Sequence, residues 1–237
     1  SPGRLKPYLD QSGQILAGSI SEKIYIKIGG VKQGMFLRGK NIQNPVLLFV
    51  HGGPAFSEFF LVEKFPVDLE DHFTVCYWEQ RGGGISYTPE VTLESMTLEQ
   101  LASDAIEVTN YLYHRFGKEK IYIMAHSGGT AFAIQAVADY PQLFYAYIGI
   151  AQITRQAESE VLCYKYMMDQ YLANGNSKMV VELNKYPILD NESFILPFFN
   201  SVLRDKAQHD LGIGTMHNMR SIIKDVLTGK KAQGGST

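Results

Sequence analysis

The sequence predicts an α/β protein, with a mostly parallel sheet covered by helices on both faces and a helical block after it. Three observations carry this. Short apolar runs at 46–50, 73–78, 121–124 and 145–151 have the length and continuity of buried strands. Helical spacing separates the second run from the third and the third from the fourth. After residue 153 such runs stop.

Residues 1–20 mix Gly, Pro, Ser and Gln and predict an irregular lead-in. SEKIYIKI and QGMFLRG then alternate apolar and polar residues across Gly29-Gly30, a β-hairpin pattern. VLLFV at 46–50 suits a strand covered on both faces, and a Gly-rich turn, His51-Gly52-Gly53-Pro54, follows it. FTVCYW at 73–78 ends likewise, in Glu79-Gln80-Arg81-Gly82-Gly83-Gly84. From Thr97 to Phe116, Leu98, Leu101, Ala105, Val108 and Leu112 mark one helix face, with Thr97 as N-cap and Gly117 as stop. IYIM at 121–124 is a third strand. AHSGGT turns from it into a helix over 130–140, ended near Pro141, and YAYIGIA at 145–151 is a fourth strand. Strand–helix alternation of this kind builds a parallel sheet. Residues 155–228 read as amphipathic helices interrupted at Pro187 and Pro197. The expected organisation is a core over 1–153, a helical cap over 154–228 and an unstructured tail over 229–237.

Composition narrows the function classes. Charged residues make up 19% and the formal net charge is -2, so no basic face for nucleic acid or an anionic membrane is expected. No apolar run reaches the roughly 18 residues of a membrane span. Cys76 and Cys163 stand too far apart for a disulfide framework or a metal spacing. With no signal peptide visible, this predicts a reducing, cytoplasmic setting, although the sequence opens on Ser1 and not on Met. The 14 Tyr and 13 Phe serve mainly packing, and the remainder can line a pocket.

The segment with the most chemistry is Ile121-Tyr122-Ile123-Met124-Ala125-His126-Ser127-Gly128-Gly129. It approaches the G-x-S-x-G nucleophile elbow, with Ala125 in place of the first Gly. A serine there must sit on a tight strand-to-helix turn that lifts its hydroxyl above the sheet edge. Small residues on either side let strand and helix approach, and the helix N-terminus faces developing negative charge. Ser127 is therefore the candidate nucleophile. The N–H of Gly128 and that of Gly53, in the turn after another buried strand, are the candidate oxyanion donors. His51 ends a strand before that turn and is expected to brace the loop, not to act as base. Arg81 is expected to be a structural fork between loops. The glycines after it lack the G-K-[ST] of a phosphate loop.

HGGP at 51–54, EQRGGG at 79–84 and AHSGG at 125–129, in this order, resemble the proline iminopeptidase group of α/β-hydrolases. The resemblance covers about residues 20 to 153, and Ser86 matches the serine that follows the family's glycines. It implies an α/β-hydrolase core with a helical cap and no metal or organic cofactor. It implies removal of an N-terminal residue, often proline, from small peptides, with Ser127 attacking the carbonyl and Gly53 and Gly128 holding the oxyanion. Cap acids would bind the substrate's amine, and Glu158, Glu160, Asp169, Glu182 and Glu192 lie in the corresponding region. Ala55, Glu79, Ala125 and Gly128 depart from the family's Gly, Asp, Gly and Trp. These departures bear on proline specificity more than on the fold, and an esterase or other amide hydrolase remains the alternative within the fold.

In this fold the acid and then the histidine follow the serine along the chain. Only His209 and His217 lie downstream of Ser127, both in the helical block and neither after an apolar strand. Both read as surface or cap-packing residues. His126 is adjacent to the serine, so it reads as a pocket-lining residue and a poor base. The expectation is a chain without the segment that supplies acid and base, inactive or nearly so alone. A non-catalytic binding protein on the same scaffold is the rival reading. A sheet short of two strands would leave an open edge, which favours a homo-oligomer.

Overall fold

The computed structural model describes residues 5–53, 56–186 and 195–213. The chain divides into two compact units, Ser1–Thr154 and Arg155–Thr237.

The first unit is built on a six-stranded sheet. Its strands are β1 (Ile20–Ile28), β2 (Val31–Gly39), β3 (Val46–Val50), β4 (Thr74–Trp78), β5 (Ile121–His126) and β6 (Phe144–Ile150), in the order β1-β2-β4-β3-β5-β6. The β1–β2 hairpin pairs antiparallel to β4, while β4, β3, β5 and β6 run parallel. Gly29 and Gly30 form the hairpin turn, both with positive φ, as a tight two-residue connection needs.

The continuous apolar runs follow from burial on both faces. Val46, Leu48, Val50, Cys76, Trp78, Ile121, Ile123 and Ala125 face one layer, formed by α3 (Leu98–Phe116) and α4 (Gly129–Asp139). Leu47, Phe49, Val75 and Tyr77 face the other, where Phe59 of α1 (Phe59–Lys64) stacks on Phe36 at 4.0 Å between ring centroids. Neither α1 nor α2 (Leu69–His72) stands out in the sequence, because both are too short to show a helical period. Helix α3 matches its predicted bounds. The Thr97 side chain accepts from the Gln100 N–H, and Gly117 ends the helix in the left-handed region at φ 59°.

Two expectations are corrected. The third strand runs on through Ala125 and His126 and does not turn at Ala125, because pairing of Ala125 with Gly149 and of His126 with Ile150 carries it further. The fourth strand is not buried like the others. Among the described residues β6 has a neighbour on one side only, and Tyr145, Ile148 and Ile150 are exposed.

Within the second unit lie α5 (Gln156–Ala173), α6 (Ser177–Leu183), α7 (Ile195–Phe199) and α8 (Val202–Asp210), around a core of Tyr164, Met167, Tyr171, Leu183 and Phe198. Pro197 does not interrupt a helix. It sits in the first turn of α7, where a missing N–H costs no helical bond. Pro187 and the 229–237 tail fall outside the described residues.

A buried polar core locks the first unit. Arg81 and Asp104 are almost fully buried and meet in a two-point ion pair, Nε to Oδ2 at 2.6 Å and Nη2 to Oδ1 at 2.7 Å. Gln33 and Gln100 also donate to Asp104, and the Trp78 indole donates to Gln33. Arg81 is thus the structural fork the sequence suggested, joining the turn after β4 to α3.

Candidate active site

β5 runs at the centre of the parallel strands and ends at His126, and α4 starts at Gly129. Ser127 occupies the junction with φ 46°, one of three non-glycine residues with positive φ among those described. That conformation is costly for a residue with a Cβ and is found chiefly where the surroundings impose it. Here they do: the Ser127 N–H donates to the Ile150 carbonyl at 2.9 Å, and the Ser127 carbonyl accepts from both the N–H and the hydroxyl of Thr130. The Thr130 hydroxyl in turn accepts from the Ile153 N–H. The serine is held at the sheet's end, half-buried.

The turn after β3 lies against this junction. A Cβ at Gly128 would fall inside the carbonyl of Gly53, and one at Gly129 would press on the His51 carbonyl. Glycine at both places is what lets the two turns touch. Gly53 itself has φ 103°. Among the described residues, the N–H groups of Gly53 and Gly128 donate to no partner. Both belong to the turns that meet beside Ser127.

His51 braces the loop, as its position suggested. Its Nε2 accepts from the Gln80 N–H at 3.1 Å, which leaves Nδ1 as the protonated nitrogen, donating to the Gly52 carbonyl at 2.8 Å. Gln80 returns a bond from Nε2 to the His51 carbonyl at 2.6 Å. With both ring nitrogens engaged, His51 is not free to take a proton from the serine. Burial pushes its pKa below 6.5, which keeps it neutral.

Sequence reasoning missed Glu58. It is the N-cap residue of α1, yet its side chain makes no capping bond to that helix. One carboxylate oxygen, Oε1, accepts from the Gly52 N–H at 3.0 Å and meets His126 Nδ1 at 2.6 Å. Glu58 is buried, and the His126 side chain is 38% exposed. The bond to Glu58 raises the His126 pKa, against an opposing effect of burial. Next to it, the Ser57 hydroxyl donates to Glu79 Oε1 at 2.6 Å, while Glu79 Oε2 is buried with no partner among the described residues. No sequence signal marked Glu58, since a lone acid in SEFF reads as an ordinary helix start.

The acids of the second unit divide. Glu160 is buried and committed to Arg204 through two bonds, with Gln156 adding a third. Its carboxylate is already neutralised, so the expectation that it binds a substrate amine conflicts with its partner. Glu158 pairs with Arg155 and Glu182 with Lys185, both at the surface. Asp169 is exposed, and Glu192 lies outside the described residues. His209 is buried on α8, with Nδ1 bonded to the Asp205 carbonyl and Nε2 without a partner among the described residues. His217 lies outside the described residues. No described residue hydrogen-bonds the Ser127 hydroxyl. A cavity of about 480 Å³ lies between α3 and α4, but Ser127 does not line it. No described helix is long and apolar enough to cross a membrane.

Comparison with known proteins agrees with the fold. The family model for the alpha/beta hydrolase fold matches residues 45–181. The "Probable aminopeptidase YbaC" of Bacillus subtilis (strain 168) is 37% identical over 144 residues, 61% of this chain and 45% of the relative. The proline iminopeptidase of Thermoplasma volcanium is 30% identical over 117 residues, 49% of this chain and 37% of the relative. The matched stretches thus span less than half the length of these relatives. The crystal structure of a proline iminopeptidase-related protein from Thermus thermophilus superposes with a TM-score of 0.52 at 25% identity, covering 62% of this chain and 50% of that one. The chain therefore belongs to the α/β-hydrolase fold family and is similar, within it, to the proline iminopeptidase-like group.

Proposed function

We propose that the protein is a serine hydrolase that removes the N-terminal residue from small peptides, or cleaves a related amide or ester, through an acyl-enzyme on Ser127. The observation that carries this reading is the strained Ser127 at the β5–α4 junction beside two unpartnered N–H groups, those of Gly53 and Gly128. Ser127 Oγ would attack the carbonyl carbon, and its proton would pass to a general base that no described residue supplies. The carbonyl oxygen would become the oxyanion held by Gly53 and Gly128. Collapse would break the C–N or C–O bond, with the base returning the proton to the leaving group. Water would then release the acid by the same steps in reverse. The substrate class comes from the aminopeptidase relatives.

A second reading, a binding protein without turnover, has one observation in its favour: no described residue hydrogen-bonds the Ser127 hydroxyl. One experiment separates them. The chain and a Ser127→Ala variant are incubated with a fluorophosphonate probe and weighed intact. A single adduct absent from the variant supports the hydrolase. An unlabelled chain favours the binding protein.

A further inference from the structure

We propose that Glu58 is a positioning residue that sets the distance between the oxyanion loop and the nucleophile turn; this rests on the reading of Ser127 as nucleophile. The relevant residues are Gly52 and His126. Each stands immediately before a residue of the reaction: Gly52 before the donor Gly53, and His126 before Ser127. Glu58 Oε1 bonds to both at once, at 3.0 Å and 2.6 Å. The β3–β5 pairing brings the two strand ends together but stops at Val50 and Ala125, short of both residues.

The surrounding geometry leaves little slack. A Cβ at Gly52 would lie 3.0 Å from Glu58 Oε1, 3.1 Å from Ser127 Cβ and 3.3 Å from His126 Nδ1. The carboxylate, the imidazole and the serine therefore converge on one glycine. The rest of the loop is fastened elsewhere, at His51 to Gln80 and at Ser57 to Glu79. Of these ties, only that of Glu58 reaches the nucleophile turn. Because an oxyanion donor displaced by about 1 Å can cost about a hundredfold in rate, such a tie acts on the chemical step.

The link also fixes a charge. With a carboxylate against Nδ1, His126 holds its proton to higher pH than a free imidazole does. Among the described residues, Glu58 is the titratable group that acts on it. In the imidazolium form the bond is charge-assisted and short, which makes the clamp stiff.

The test uses the full chain with Glu58→Gln and Glu58→Ala. Gln keeps an oxygen acceptor for Gly52 but loses the charge, and Ala removes both. The His126 titration is followed by NMR, the Gly52 amide by hydrogen exchange, and Ser127 by the concentration dependence of fluorophosphonate labelling. The proposal expects the His126 midpoint to fall in both variants. It expects Gly52 exchange to accelerate in Ala more than in Gln. Maximal labelling rate should drop at least about tenfold in Ala, with Gln between, while half-saturation moves little. An unchanged His126 midpoint with labelling within about twofold of the parent overturns it. If the parent itself does not label, the serine reading fails, and the His126 and Gly52 measurements still decide the clamp: shifts in both support it, and no shift removes it. If Ala does not fold, Gln carries the same comparison.

Discussion

The carbonyl of Gly53 occupies the volume into which any side chain at Gly128 would project. This contact explains why residue 128 is glycine here, where the resembled family has a large aromatic. The loop after β3 has closed onto the start of α4, so the space beside the nucleophile is filled by backbone. Gly128→Ala should push the two turns apart, at a cost of roughly 1–3 kcal/mol by overpacking. Urea denaturation reads the stability, and labelling of Ser127 should fall more than tenfold in the folded fraction, since both oxyanion donors move. Parent-like values on both measures would show that the loop yields freely.

The positive φ of Ser127 predicts a stability–reactivity trade. Ser127→Gly removes the Cβ from a left-handed residue and should stabilise the fold by about 1 kcal/mol. Ser127→Ala keeps the Cβ and should leave stability near that of the parent. Neither variant should label. Equal thermal midpoints for the two would mean that the turn carries no strain at this position.

Asp104 holds Arg81 at the centre of the first unit, with Gln33 and Gln100 on the same carboxylate. Asp104→Ala should cost about 3–5 kcal/mol, because it strands a guanidinium that has 2% exposure. The double replacement Arg81→Met, Asp104→Leu should recover part of that loss by removing the stranded charge. A double variant as unstable as the single would place the cost in the glutamines and the Gly29 carbonyl that Arg81 also binds.

Two histidines pull stability in opposite directions with pH. His51 has its pKa lowered by burial, so its contribution is complete above the unfolded value near 6.5 and is lost as pH falls below it. His126 has its pKa raised by Glu58, so its contribution is complete below 6.5 and is lost as pH rises through the raised value. His126→Gln should therefore steepen the loss of stability between about pH 7.5 and 5.5, because the opposing contribution is gone. Urea midpoints across that window check it. Parallel curves for parent and variant would mean that the Glu58 bond does not shift His126.

What the sequence by itself determined is the local part. The strands read at 46–50 and 73–78, the Thr97 cap, the Gly117 stop and the strand–serine–helix turn are each set by residues within a turn or two of one another, and side-chain period and capping chemistry act at that range. Those elements are enough to place Ser127 at a strand end facing a helix N-terminus. What only the tertiary structure decided is which distant residues meet there. Glu58 reaches His126 across 68 positions, and Arg81 reaches Asp104 across 23. Both meetings depend on strand order, in which β3 lies between β4 and β5. A single acid in SEFF carries no period and no cap signature, so its partner emerges only when the sheet brings the end of β3 beside the end of β5. The same holds for the commitment of Glu160 to Arg204, since a buried carboxylate takes whatever cation the packing brings to it.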